Sequence, residues 1–383
     1  MNLSVQVNGI SFNTPIILAS GYITETPSFF MEAIPHGCSA IVTRSLKKIV
    51  PDERKRVPVP RYAIIPGEDS MLNCEWGNEF GWDNWRDQWV RQVKDTGGPI
   101  IVSLSARDPE GCVQMIREFD QIGVDAYEIN FSCSHSGALH GNLNVDFDHL
   151  ASSMAVIRPA TKTPIWVKLS YSPFVVGMAR HAERHGADAI VCTNSIGPGL
   201  LIDTGTGYPK LGTQGGAGGL SGKAIFPIAL RCVYEIARAV DIPTVGVGGI
   251  CSSDDVLQML MAGASAVQLY TYPALHGPSS LRVITNGLRD FLQENEWGLH
   301  DLSEFVGLTQ SLANSHCFAG KSPTVQTARC TGCGRCETAC LFGAMSIVPG
   351  KSGKTASISD KCISCNACAG MCPVGAITPN YQR

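Results

Sequence analysis

Short apolar runs alternate with amphipathic stretches along the first 315 residues. The runs lie at 16–19, 40–43, 100–104, 126–130, 165–169, 189–193, 244–248 and 266–269. Near-continuous apolarity over so few residues marks strands buried on both faces of a parallel sheet. Helical periodicity separates several of them, as at 174–185 and 225–239. Eight such units predict an α/β fold, a (β/α)8 TIM barrel, with its site at the C-terminal ends of the strands. A doubly wound open sheet is the structural rival, but it rarely needs eight evenly spread strands. Ahead of the first run, 4–7 and 10–12 flank Asn8-Gly9, a two-residue hairpin signal. A helical segment at 302–311 closes this region.

Two connections are long. Residues 45–97 carry the charged run 52–56, read as a solvated loop, and Trp76, Trp82, Trp85 and Trp89, read as core or subunit contact with a lid as the alternative. Residues 197–222 hold ten glycines, either a flexible spacer or a mobile flap beside a cofactor. The Gly-, Ser- and Pro-containing stretch 319–327 reads as a linker. The expected organisation is a barrel over 1–315, a linker over 316–327 and a small α+β domain over 328–383.

Composition narrows the function. Thirty basic and 33 acidic side chains give a net charge of -3, without the basic excess of a nucleic-acid binder. No apolar run reaches the ~18 residues of a membrane helix. The start lacks both a basic and an apolar leader region, so a cytoplasmic protein is expected. Sixteen cysteines in such a chain point to metal ligation or catalysis rather than disulfides.

Eight of them form two copies of one pattern, Cys330-x2-Cys333-x2-Cys336-x3-Cys340 and Cys362-x2-Cys365-x2-Cys368-x3-Cys372. This is the bacterial ferredoxin run, whose fourth cysteine ligates the other cluster. One [4Fe–4S] cluster is therefore assigned to Cys330, Cys333, Cys336 and Cys372, and the second to Cys362, Cys365, Cys368 and Cys340. Paired zinc knuckles, the alternative, have no use for the third regularly spaced cysteine of each run. Leu341 stands where the second run has Pro373.

Polar residues gather at the expected strand ends: Ser20, Arg44, Asn130, Lys168, Asn194, Gly248-Gly249 and Tyr270-Thr271. The glycine pair and the small hydroxyl residue suit a phosphate, because bare backbone N–H groups approach its oxygens. Iron–sulfur clusters move single electrons, so a fused barrel is expected to hold a flavin, which exchanges two electrons with substrate and one at a time with clusters. Lys168 on a buried strand either stabilises the reduced flavin or pairs with a structural carboxylate. Cys133, between Ser132 and His135, is suited to donate a proton, while Cys38, Cys112, Cys192, Cys232, Cys251 and Cys317 read as inert thiols. Cys74 has no assigned role. Asn73, Asn130 and Asn194 each offer a donor and an acceptor, matching a cyclic amide or imide.

The strings IILASG (16–21), INFSCSH (129–135), VKL (167–169), CTNS (192–195), GGLSGKAIFPIALR (218–231) and VGGI (247–250) resemble the FMN barrel shared by class 1 dihydroorotate dehydrogenases and dihydropyrimidine dehydrogenases. With the double cysteine run, and SMLNCEW at 70–76, nearly the whole chain resembles the iron–sulfur flavin subunits of bacterial NAD-dependent dihydropyrimidine dehydrogenases. The resemblance implies that Asn73, Asn130, Asn194 and Ser195 bind the ring, that Ser132 assists, and that Cys133 is the general acid/base. It implies FMN held by Ala19, Ser20, Arg44, Lys168, Gly219, Gly248, Gly249, Tyr270 and Thr271. Arg44 replaces the family's usual lysine, Ser134 its usual proline, and Tyr270 is bulky for a place at the phosphate. The expected reaction is reversible reduction of a carbon–carbon double bond conjugated to a ring carbonyl, with uracil or thymine foremost. Dihydroorotate oxidation and a non-catalytic electron-transfer role are the alternatives. No second dinucleotide fold is left in the chain, so an NAD(P)H-oxidising FAD subunit or a ferredoxin is the expected electron partner, and a homo-oligomer the expected assembly.

Overall fold

The computed structural model describes residues 2–47, 59–74, 77–132, 145–312, 322–350 and 353–380. Two compact units divide the chain, Met1–Gln310 and Ser311–Arg383.

In the first unit the eight apolar runs are eight parallel strands: β1 (Ile16–Leu18), β2 (Ala40–Val42), β3 (Ile100–Ser105), β4 (Ala126–Asn130), β5 (Ile165–Leu169), β6 (Ala189–Cys192), β7 (Thr244–Val247) and β8 (Ala264–Leu269). They close into a barrel in chain order, β8 pairing with β1. Alternation along each strand sorts side chains into two cores. Ile16, Leu18, Ile100, Val102, Val167 and Leu169 face the helices, while Ile17, Ala40, Val42, Ile101, Trp166, Val191 and Val245 fill the barrel.

The N-terminal hairpin, Val5–Val7 with Ile10–Phe12, turns at Asn8 and Gly9, whose φ of 52° and 79° fit the mirror-image turn that matches strand twist. Val5, Val7 and Phe12 join the barrel's inner core, and Asn8 accepts a 2.8 Å hydrogen bond from the Trp166 indole. This plug leaves the opposite end for chemistry.

Three expectations change. The long connections are not simply loops: Tyr62–Ile65, Ser70–Asn73, Gly218–Gly222 and Ile196–Gly199 form a four-stranded antiparallel sheet. Its glycines allow tight pairing, since a Cβ on Gly197 would lie 2.9 Å from the Gly218 carbonyl oxygen. The helix expected at 302–311 is broken into Leu302–Phe305 and Leu308–Leu312, with Gly307 at a φ of 74° between them. Within the stretch read as linker, Thr324–Val325 is a strand paired with Ile377–Thr378. Of the tryptophans, Trp85 is fully buried and Trp82 and Trp89 pack against the barrel core, whereas Trp76 and the run 52–56 lie outside the described residues.

The second unit carries a hairpin, Met345–Gly350 with Gly353–Ile358, and two short helices, Arg335–Ala339 and Ala367–Gly370, each holding the third cysteine of its run. Among the described residues no helix is long and apolar enough to cross a membrane.

Candidate functional site

The inward register of the strands turns from apolar to polar toward their C-terminal ends. On β4 it runs Ala126, Glu128, Asn130, on β5 Trp166, Lys168, and on β8 Ala266, Gln268. Glu128, Lys168 and Gln268 close on one another inside the barrel, all buried. Lys168 Nζ donates to Glu128 Oε1 at 3.2 Å and to Gln268 Oε1 at 3.3 Å, and Gln268 Nε2 donates to Glu128 Oε2 at 2.8 Å. The lysine is thus paired to a carboxylate, and with three donors it retains one N–H beyond these two bonds.

A second network lies where β4 and β6 end. Asn130 Oδ1 accepts from the backbone N–H and hydroxyl of Ser132 at 3.0 and 2.8 Å. Asn194 Nδ2 donates to the Ser132 carbonyl and hydroxyl oxygens at 2.9 Å each. Asn130 Nδ2 donates to Ser45 Oγ at 3.2 Å, which also contacts the Ser103 and Ser20 hydroxyls at 3.0 and 3.4 Å. Ser195 donates its backbone N–H to Asn194 Oδ1 at 2.8 Å. Cys133, Ser134 and His135 lie outside the described residues.

Asn73 lies in the antiparallel sheet opposite Gly219 and donates to the Gly219 carbonyl at 3.2 Å. Thr271, after β8, contacts the Ser221 hydroxyl of the same sheet at 3.0 Å. Arg44, just past β2, is buried and donates to Glu25 Oε2 at 2.7 Å. Glu25 Oε1 in turn accepts the backbone N–H groups of Glu79 and Phe80 at 2.7 and 3.2 Å. The Tyr270 ring occupies space above Gly21, where a Cβ would lie 2.4 Å from Tyr270 Cε2. Ala19 is buried at the end of β1.

Gly248 and Gly249 follow β7 at φ 123° and 75°. A Cβ on Gly249 would lie 2.6 Å from the Phe226 backbone nitrogen, at the start of the helix Phe226–Ala237. Bare backbone beside a helix N-terminus fits a phosphate group.

In the second unit both cysteine runs share one backbone shape. Gly332 and Gly334 have left-handed φ, as do Ser364 and Asn366 at the matching places, and Gly343 matches Gly375. Backbone N–H groups point at sulfur: Ala356 to Cys330 at 3.4 Å, Ala344 to Cys340 at 3.2 Å, Ser364 to Cys362 at 3.4 Å and Ala376 to Cys372 at 3.2 Å. The N–H groups of Gly332, Arg335 and Ala344 draw the thiols of Cys330, Cys333 and Cys340 below the ordinary range, toward the thiolate a cluster needs, while burial pushes Cys336 and Cys368 up. Cys340, from the first run, lines one pocket with Cys362, Cys365 and Cys368 of the second. Among the described residues no three such side chains approach to metal-binding distance, so the fit rests on these turns and N–H donors. Of the remaining thiols, burial raises Cys38 and Cys112 to about 12, and Cys192 and Cys232 meet side by side in the core. Cys251 is also pushed up to about 12 by burial, while Cys317 lies outside the described residues. Cys74 is buried in the antiparallel sheet's apolar cluster.

Residues 2–292 match the family described as Dihydroorotate dehydrogenase. The chain belongs to that family. Residues 321–378 match the 4Fe-4S dicluster domain. The catalytic subunit of dihydroorotate dehydrogenase B (NAD(+)) from Pyrococcus furiosus is 31% identical over 313 residues, which is 82% of this chain and 100% of the relative. The Thermoplasma acidophilum protein of the same description is 32% identical over 308 residues, covering 80% of this chain and 98% of the relative. This dihydroorotate dehydrogenase family member is therefore a flavin-dependent oxidoreductase whose cofactors are FMN and, in its dicluster domain, two [4Fe–4S] clusters. Glu25, Ser103, Glu128 and Gln268 were not expected from the sequence. The signal for Glu128 and Gln268 was present as single polar residues at inward positions of apolar strands.

Proposed function

We propose that this chain interconverts a 5,6-dihydropyrimidine and its unsaturated ring, with dihydroorotate and orotate as the pair, and passes electrons through the dicluster domain to a redox partner. The observation that carries the reading is the Asn130–Ser132–Asn194 network at the ends of β4 and β6. Carboxamides and a hydroxyl held this way offer alternating donors and acceptors to a ring edge that alternates N–H and C=O. The dihydroorotate dehydrogenase B subunits among its relatives support the choice of ring.

FMN, when bound, exchanges hydride with substrate and single electrons with the clusters. Gly248, Gly249 and Thr271 would hold its phosphate, with Ala19, Ser20, Gly219, Tyr270, Lys168 and Arg44 around the rest. Asn73, Asn130, Asn194 and Ser195 orient the substrate, and Ser132 fixes the two asparagine amides relative to each other. Cys133, one residue on from Ser132, holds the proton exchanged at the ring carbon. The eight paired cysteines would hold the clusters, and the electron partner is an NAD(P)H-oxidising FAD subunit or a ferredoxin.

A second reading, uracil or thymine as substrate, is favoured by Glu25. Its carboxylate already compensates Arg44, so the cation at the end of β2 has less to offer a substrate carboxylate. Anaerobically reduced holoprotein mixed with orotate, uracil and thymine separates the two. Reoxidation by orotate at least about tenfold faster than by uracil supports the first reading, and the reverse order the second. Cys133→Ala should keep flavin and iron content while slowing turnover by about 10²-fold or more, as loss of a general acid does. Unchanged turnover would remove Cys133 from the mechanism.

A further inference from the structure

Charge is unevenly divided between the two units. Ser311–Arg383 holds seven of the 30 basic side chains but only two of the 33 acidic ones, Glu337 and Asp360. The barrel unit is left with the acidic excess. Arg335 and Lys361 lie beside the cysteine runs, exposed, and among the described residues neither enters an ion pair. Arg335 adjoins Cys336 and Lys361 adjoins Cys362, so each run carries a cation next to a proposed cluster ligand.

The same unit exposes apolar side chains where a small domain would ordinarily hide them. Leu341, which replaces the proline of the second run, is 93% exposed. Phe342 and Ile363 are also exposed, and both line the pocket shared by Cys340, Cys362, Cys365 and Cys368. An apolar collar in a unit that carries these cations, Lys361 two residues from Ile363, has the composition of a transient interface, apolar in the middle and polar at the rim. Its three side chains suit the small contacts of electron-transfer encounters rather than a permanent subunit joint.

We propose that the collar of Leu341, Phe342 and Ile363, with Lys361 and Arg335, is the docking surface for an acidic electron carrier of the ferredoxin class. The proposal deepens the reading given above and rests on its cluster ligands. Long-range attraction between the basic unit and the acidic carrier gathers the encounter. The collar then seats the carrier against the pocket of Cys340, Cys362, Cys365 and Cys368. The cluster that Cys340, Cys362, Cys365 and Cys368 would hold would there give one electron to the carrier's oxidised centre, with no bond made or broken.

The test is equilibrium binding of an oxidised acidic [2Fe–2S] ferredoxin to the immobilised holoprotein. No pyrimidine enters the measurement, so its failure is distinct from failure of the substrate assignment. Affinity should fall by about tenfold or more between 50 and 300 mM salt, as screened charge pairs do. Arg335→Glu with Lys361→Glu should weaken binding at low salt by about tenfold, and Leu341→Ser with Phe342→Ser by about fivefold, both with iron content and visible spectrum unchanged. Salt-independent binding, or wild-type affinity in both variants, overturns the proposal. So does a changed oligomeric state in the collar variant, which would give the collar to a second copy of the chain. Because the wild-type salt response needs no substitution, the proposal stays testable even where a variant misfolds.

Discussion

At the scale of single residues, the most constrained group is the buried lysine. Lys168 and Glu128 sit where neither charge is tolerated alone, and Gln268 is oriented by both, giving its oxygen to the ammonium and its N–H to the carboxylate. Removing one member of a buried pair is costlier than removing both, because it strands the other charge. Lys168→Met should therefore destabilise the barrel by about 3 kcal/mol, and Lys168→Met with Glu128→Gln by clearly less than the sum of the single changes. Thermal unfolding of the holoprotein and its single and double variants measures this. Strictly additive losses would show that the three side chains do not act as one network. The same comparison bears on flavin binding, since the remaining N–H of Lys168 is held in place only while Glu128 and Gln268 anchor the other two.

At the scale of elements, the barrel was legible and the sheet above it was not. Buried parallel strands write themselves as uninterrupted apolar runs, and all eight appear with ends within about two residues. The antiparallel sheet depends on distant pairing, Asn73 with Gly219, and one of its strands is the sequence GGLSG, which has no strand propensity of its own. Asn130, Ser132 and Asn194 were legible because they end a strand or lie within two residues of one, whereas Glu25 gains meaning only once it meets Arg44 at the end of β2. Gly248-Gly249 joins the two levels, since its sequence suggests a phosphate turn and its packing explains why only glycine serves. Gly249→Ala should lower the unfolding midpoint and reduce flavin retention, because the new Cβ meets Phe226 backbone. Gly215→Ala is the control, with a similar φ of 68° and no atom within 4 Å of its Cβ. The control should cost about 1–2 kcal/mol for its left-handed backbone alone, and Gly249→Ala more. Equal midpoints for the two variants would mean the Phe226 contact yields freely.

At the scale of the whole molecule, the two units have different reasons to be folded. The barrel has two extensive apolar cores on either side of its strands. The second unit's buried cluster is Cys336, Met345, Ala356, Cys368 and Ile377, so two of its five members are proposed cluster ligands. A domain of this size with so small a core ordinarily needs a metal or disulfides, and its described cysteines form no disulfide. Its folding free energy is then largely binding free energy of the clusters. Stripping the clusters with a chelator and an oxidant, followed by hydrogen exchange, should abolish amide protection in Met345–Gly350 and Gly353–Ile358. Protection in β3, β4 and β5 should persist, because nothing in the barrel's packing calls on iron. Retained protection in the stripped hairpin would show that its six cross-strand pairs and five-residue core suffice on their own. Loss of protection in both units together would show that the barrel's stability is linked to the dicluster domain, which the separate cores argue against.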